Sequence, residues 1–400
     1  MINMWKIKQI NKNLLFVCYN WIGDVMVYLD YSATTPVDKR VLETFDKVSL
    51  EFIGNPNSLH KLGVKSKELI DSSTESIKKI LNLKNSEVIY TSGSSEANNL
   101  AIKGICEKYQ NRGKHIITTP FEHSSIYGPL NYLSELGYEV DFVNLDSDGR
   151  VDLDDLRNKL RDDTILVSVV AVNSEIGILQ PIDEIKEIVK EHPKCFFHVD
   201  ATQAIGKIKL GISDIDLVSF SAHKFFGIKG IGCLIKKDGI SLNPQIHGGK
   251  STTNYRSGTP TVALIASLAK ALRLVYENID SDYDHVLELN KYLKEKLQSY
   301  SEVRINSNDY SIPHILNFSV LGVKPETMLH ALEEDEVYIS TQSACSTGAS
   351  SKAVLALTND EKRANSSIRV SISKITTKEE IDKFIEVFDK CYKHLIEVRR

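Results

Sequence analysis

From residue 28 to about 271 the chain alternates short β-rich runs with helical patterns, and this alternation limits the fold more than any other feature. The β-rich runs are 88–90, 115–118, 139–143, 165–170, 196–199, 217–220 and 232–235. Helical stretches such as 64–81, 95–109, 124–136 and 182–191 lie between them. Parallel strands need a crossover between them, and a helix supplies it. Repeated βα units therefore predict an α/β fold with a mostly parallel, seven-stranded sheet and helices on both faces. A long helical segment, 261–298, follows. Strands at 303–305, 315–319, 337–340 and 367–373 then mix with helices at 325–334 and 378–399. That part reads as a smaller α+β domain. The expected division is an N-terminal extension, 1–25, a large α/β domain, 26–275, and a small α+β domain, 276–400.

Bulk properties exclude several classes. A chain of 400 residues exceeds one ordinary domain. Its 42% hydrophobic and 26% charged residues are those of a globular protein. The net charge of −4, without a basic block, argues against nucleic acid or an anionic membrane as a main partner. Six cysteines (18, 106, 195, 233, 345 and 391) show no CxxC spacing, which speaks against a zinc site or a disulfide framework. Reduced thiols and a cytoplasmic location are the expectation. No stretch reaches the roughly 18–20 apolar residues of a membrane span. The first 25 residues hold Lys6, Lys8 and Lys12 before the short apolar run 14–18. They lack the cleavage site of a signal peptide and read as an extended or misassigned start.

In open α/β sheets, ligands bind at the carboxyl ends of the strands. The run 195–199 ends in Asp200, and the run 216–220 leads into Ser221-Ala222-His223-Lys224. If the two are neighbouring strands, a carboxylate and an amine reach one edge of the sheet. A buried ammonium is costly unless it has a task. A lysine that loses its proton suits Schiff-base chemistry, and a carboxylate facing it suits a pyridinium nitrogen. The alternative is a plain buried salt bridge. The loops after Tyr90 and Thr118 fall at the same edge, a convergence that a salt bridge alone does not require.

Other candidates cluster on this rim. The segment 91–97, Thr-Ser-Gly-Ser-Ser-Glu-Ala, follows a strand and opens a helix, so Ser94 and Ser95 suit a phosphate cradle. Ordinary helix capping explains the same serines. Ser221 and His223 add donors beside the lysine. Gln203 is placed to donate to a phenolate oxygen, and Asn173 adds an amide. His123 after another strand end suits stacking and proton transfer near neutral pH, although an isolated histidine is more often structural. Cys345 lies in the small, polar stretch 340–351, which reads as a flexible loop presenting an exposed nucleophile. The other five cysteines read as inert small hydrophobes. Arg369 suits a bidentate grip on a substrate carboxylate, or is a strand-edge surface arginine.

These residues stand in strings that run along almost the whole chain: YLDYSATTPVD (28–38), GNPNSLHKLG (54–63), TSGSSEANNLAIKG (91–104), HIITTPFEH (115–123), VNSEIGILQPI (172–182), HVDATQAIGK (198–207), SFSAHKFFGIKGIG (219–232), HGGKSTTNYRSGT (247–259), SACSTG (343–348) and SSIRVSIS (366–373). The chain resembles the IscS/NifS-like cysteine desulfurases of the class V, fold type I pyridoxal-phosphate enzymes. The resemblance implies that Lys224 binds pyridoxal 5'-phosphate covalently, that Asp200 pairs with the pyridine nitrogen, and that Gln203 pairs with the ring oxygen. His123 would stack on the ring and act as acid and base. Ser94, Ser95, Ser221 and His223 would hold the phosphate, with Thr259 reaching that of a partner subunit in a homodimer. Asn173 and Arg369 would hold the substrate L-cysteine, and Cys345 would accept its sulfur. A sulfur-acceptor protein serving iron–sulfur cluster, tRNA thiolation or thiamine synthesis would follow. In some relatives the loop cysteine also transiently ligates an iron–sulfur cluster; no other metal site is implied. The chain departs from the family's glycines at Gln342, in the run 249–253 and at Ala222, which touches the subgroup and partner choice.

Three rivals remain on sequence grounds. A selenocysteine lyase or aminotransferase would share the fold, and transamination needs no thiol like Cys345. A nucleotide-binding Rossmann protein would need a G-x-G-x-x-G order that 227–232 lacks. A catalytically silent scaffold would not need lysine, aspartate, histidine and cysteine together.

Overall fold

The computed structural model describes residues 26–341 and 350–399. Cys345 and Gln342, and the expected extension 1–25, lie outside the described residues. The first strand, β1 (Val27–Tyr28), is followed by the seven strands that the alternation predicts: β2 (Ser86–Thr91), β3 (His115–Thr118), β4 (Glu139–Phe142), β5 (Thr164–Val170), β6 (Phe196–Asp200), β7 (Leu217–Ser221) and β8 (Gly232–Lys237). They form one sheet in the order β2-β8-β7-β6-β5-β3-β4. The neighbours from β4 to β7 are parallel, and β8 runs antiparallel between β7 and β2. The reason is local. Residues 222–231 between β7 and β8 contain only a short 3₁₀ turn, which is too little chain for a crossover helix, so the strand must return.

Burial follows position in the sheet. Every residue of β5 and β7 is buried, as expected of strands covered on both faces. The edge strand β4 carries Glu139 and Asp141 and is exposed at both ends, which discourages pairing with another chain. The expected segment 261–298 is two helices, Val262–Tyr276 and Ile279–Leu297. The first is apolar nearly all round and packs against Lys39–Glu51 and Lys61–Ile80. Asn278, at φ −128° and ψ 20°, leaves the helical region, and Asp280 and Asp282 then favour the start of a new helix.

A second body holds β9 (Val303–Ile305), β10 (Ile315–Val320), β11 (Val337–Tyr338) and β12 (Ser367–Ser371). The antiparallel sheet β12-β10-β9 packs against Ile279–Leu297 and Lys378–Arg399 around Leu293, Phe318, Phe384 and Phe388. Here β1 pairs in parallel with β11, and Val27 and Leu29 are buried in this second core. The chain then crosses to the large sheet through residues 30–38.

Phe388 is fully buried and makes edge contacts with Phe318 and Tyr300, at centroid distances of 5.8 and 5.2 Å. Phe388→Ala is expected to cost about 3–5 kcal/mol, read as a lower urea midpoint. An unchanged midpoint would contradict this account of the second core.

Candidate active site

Strand pairing brings the candidate residues together. In the β6–β7 register Asp200 stands opposite Ser219, so the chain leaves β7 beside Asp200 and reaches Lys224 within one turn. A pocket of about 150 Å³ lies at this edge, lined by Ser32, Ser94, Ser95, His123, Asp200, Thr202, Gln203, His223, Lys224 and Arg369, among others. Nine of the ten sit at a strand end, in loops or turns, or at helix starts, and Arg369 reaches in from the middle of β12.

The plain salt bridge is not what holds the two charges. The buried carboxylate of Asp200 accepts from Asn98 Nδ2 at 2.8 Å and from the Thr202 amide at 3.0 Å. The amine of Lys224 donates to the carbonyls of Ser32 at 2.6 Å and Ala33 at 2.8 Å. The turn carrying Lys224 is held open by strain just after it. Phe226 has φ +64°, unusual for a bulky residue. Its amide donates to Thr35 Oγ1 at 2.7 Å, and its carbonyl accepts from the Asp38 amide at 3.0 Å. Ala222, where the resembled family has glycine, is accommodated because Gly227 packs on it; a Cβ at 227 would lie 2.7 Å from that of Ala222.

His123 caps the helix Ser124–Glu135, its Nδ1 accepting from the Ser125 amide at 3.2 Å. Asn98 donates to Ser125 Oγ at 2.8 Å, so that hydroxyl turns its proton to His123 Nδ1, 2.8 Å away. The proton of the neutral imidazole therefore sits on Nε2. Burial pushes the His123 pKa down and Lys224 adds to this, while Asp200 opposes it. Burial first, then Lys224, takes His223 down to about 4. Both rings are neutral near pH 7. The neighbouring Glu122, buried and bonded to Thr119 Oγ1 and the Val170 amide, is pushed up to about 8, chiefly by burial.

The helix Ser94–Lys108 opens at the pocket, where the Ser94 amide donates to Ser221 Oγ at 3.1 Å. A side chain at Gly93 would place Cβ 3.1 Å from that oxygen, so glycine leaves room there. Arg369 is buried, donating to Asp30 Oδ1 at 2.7 Å and to the Ser174 carbonyl at 2.9 Å. It is not a surface arginine. Asn173 lies next to the pocket, and its amide is engaged with Phe121 O and with the amides of Glu175 and Ile176. It shapes the turn that aims Ser174 O at Arg369. Thr259 is exposed and lies away from the pocket lining.

Three contributors escaped the sequence reading. Asn98 links Asp200 to the His123 cap, and the signal for it was a buried polar residue among Ala97, Leu100 and Ala101. The carbonyls of Ser32 and Ala33 left no signal, because backbone groups are not specified by residue type. Asp30 gave only a local string. Among the described residues, no group of three or more His, Cys, Asp or Glu is arranged to hold a metal ion. Among them, also, no helix is long and apolar enough to cross a membrane.

The family model of class V aminotransferases matches residues 27–384, and the chain belongs to that family. Within it the chain is 40% identical over 384 residues to a NifS/IcsS protein homolog of Lactobacillus delbrueckii subsp. bulgaricus, covering 93% of this chain and 99% of that protein. It is 38% identical over 375 residues to a cysteine desulfurase IscS of Dictyoglomus turgidum, covering 92% and 95%. The solved structure of a NifS-like protein superposes with a TM-score of 0.88 at 34% identity, covering 93% of this chain and all of the other. The expected IscS/NifS-like group and fold are thus borne out. Enzymes of this family are in general pyridoxal-phosphate-dependent.

The depressed His223 has a testable consequence. Between about pH 6.5 and 4 the unfolded chain binds a proton there that the folded chain does not. Its contribution to stability is present above that window and is lost as pH falls through it. His223→Gln is therefore expected to flatten the fall of the urea midpoint across this range. An unchanged slope would contradict the assignment of a neutral, half-buried His223.

Proposed function

We propose that the chain is a cysteine desulfurase that takes sulfur from L-cysteine, releases L-alanine and holds the sulfur as a persulfide on Cys345. The observation that carries this reading is the convergence of Lys224, Asp200, His123 and Arg369 on one pocket at the sheet edge. The names of the relatives point the same way.

The pocket suits pyridoxal 5'-phosphate. Ser32 Oγ and Thr202 Oγ1 are buried in its lining without a partner among the described residues, which favours a polar occupant. Ser94, Ser95, Ser221 and His223 would hold its phosphate at the helix N-terminus. Asp200 would hold a proton on the ring nitrogen and Gln203 would donate to the ring oxygen. When bound, the cofactor supplies an electron sink for the substrate Cα. Lys224 would hold the cofactor, and its Nζ would take the Cα proton of the substrate. His123, with its proton on Nε2, would act as acid and base beside the cofactor. Arg369 would hold the substrate carboxylate, Asn173 shaping the turn beside it. The Cys345 thiolate would attack the substrate sulfur, so that an S–S bond forms as the Cβ–S bond breaks. The carbon takes the electron pair and a proton, giving alanine and one persulfide from one cysteine and one thiol. Sulfur would then pass to an acceptor protein, which requires the Cys345 loop to move.

Several attributes belong to the same proposal. The exposed Thr259 suits contact with the phosphate of a second copy, in a homodimer. The chain would work in the cytoplasm, with 26–275 as the cofactor-binding domain and 276–400 as the domain carrying Cys345. An aminotransferase or selenocysteine lyase on the same scaffold would use Lys224 without needing Cys345.

Lys224→Ala is expected to lose the visible absorbance of bound cofactor and all turnover; alanine release from L-cysteine by this variant would refute the role of Lys224. Cys345→Ala should keep the absorbance and form no protein persulfide. Normal sulfur transfer by that variant would refute the role of the thiol.

A further inference from the structure

Lys207 is a buried lysine near the site, and the chemistry above gives it no task. It follows Gln203 by four residues in the turn after β6, and its Nζ donates to Gln203 Oε1. On its other side the same amide donates from Nε2 to the Ser32 carbonyl at 2.9 Å. That carbonyl also receives Lys224 Nζ. A carbonyl oxygen only accepts, so the NH₂ of Gln203 must face Ser32 and its oxygen must face Lys207. The amide is therefore clamped between an obligate acceptor and an amine donor, with no freedom to flip.

We propose that Lys207 is a positioning residue, which keeps the NH₂ of Gln203 turned toward the pocket, where it meets the ring oxygen of the cofactor. The inference rests on the cofactor reading of the pocket. The NH₂ carries two hydrogens, one on Ser32 O and a second to give. Lys207 keeps the amide oxygen away from the ring oxygen, where two acceptors would repel each other. It also polarises the amide and makes the NH₂ a better donor.

The surroundings fit an amine kept for this bond. Burial, with Lys224 and Arg369 behind it, pushes the Lys207 pKa well below that of an ordinary lysine. Charged or neutral, the amine still donates. Lys207 also borders an open cleft of about 460 Å³, together with Asp280, Asp284 and Asp309, among others. Among the described residues, the hydrogen-bond partner recorded for Lys207 Nζ is Gln203 rather than any of these carboxylates.

The test is a double-mutant cycle on the full chain, with Lys207→Met, Gln203→Leu and the pair. Two quantities are read in each: the Kd for pyridoxal 5'-phosphate, and the pH midpoint of its visible band when bound. Losing one well-aligned hydrogen bond predicts about tenfold weaker binding for Lys207→Met. The midpoint should rise, because a ring oxygen without its donor lets the adjacent nitrogen hold its proton more tightly. In the Gln203→Leu background Lys207→Met should change neither quantity further. Native-like values for Lys207→Met alone would overturn the proposal. So would an equal effect with and without Gln203, which would mean packing or bulk charge. If Lys207→Met does not fold, Lys207→Gln replaces it in the same cycle, since its shorter amide falls short of Gln203. Failure of the parent chain to bind the cofactor would instead overturn the reading of the pocket itself.

Discussion

The parallel pairing of β6 with β7 is the constraint on which the rest depends. Its register puts Asp200 opposite Ser219 and leaves the next few residues of β7 to carry a lysine to the same edge. Neither strand has freedom to slip, because a one-residue shift would move Val199, Val218 and Phe220 from the core on one face of the sheet into the separate core on the other, where Leu217 packs. The hydrophobic pattern that makes the sheet is thus also what aims the carboxylate and the amine. The short return into β8 then confines Lys224 to a strained turn, where Phe226 is fixed at φ +64°.

A second constraint joins the two bodies of the fold. After β1 has paired with β11 in the smaller core, residues 30–35 pass beside the pocket, with Ser32 and Ala33 in its lining. Asp30 holds Arg369 from β12, Ser32 and Ala33 receive Lys224, and Thr35 bonds the backbone of the lysine turn. One short segment therefore touches the group proposed to bind the substrate carboxylate and the amine proposed to bind the cofactor. A shift of Arg369 off Asp30 would be felt by the carbonyls that hold the lysine. The segment lies in a string that the sequence comparison picked out, but its work is done by backbone oxygens.

The fold was legible because the large sheet is built from local periodicity. All seven strands coincide with short β-rich runs, and the central ones are buried on both faces. The helix Lys39–Glu51 was not legible, because only Val41 and Val48 are buried on it and its apolar stripe is thin. The break at Asn278 was masked by helical patterns on both sides. The pairing of β1 with β11 links residues far apart in sequence through two positions each, which leaves no periodic signal. At the site, Lys224, Asp200, His123 and Arg369 stood out because their chemistry is costly to bury. Asn98 and Lys207 did not, since their roles are to hold other side chains and appear only when distances are known.

The central claim is that this site moves sulfur from L-cysteine onto Cys345. The most direct measurement is the intact mass of the purified, cofactor-loaded protein before and after L-cysteine, with a peptide map across Cys345. The account predicts the mass of one added sulfur atom on the Cys345 peptide and an equal amount of released alanine. An unchanged protein mass, with a change in cofactor absorbance alone, would contradict it and place a different reaction on the same lysine.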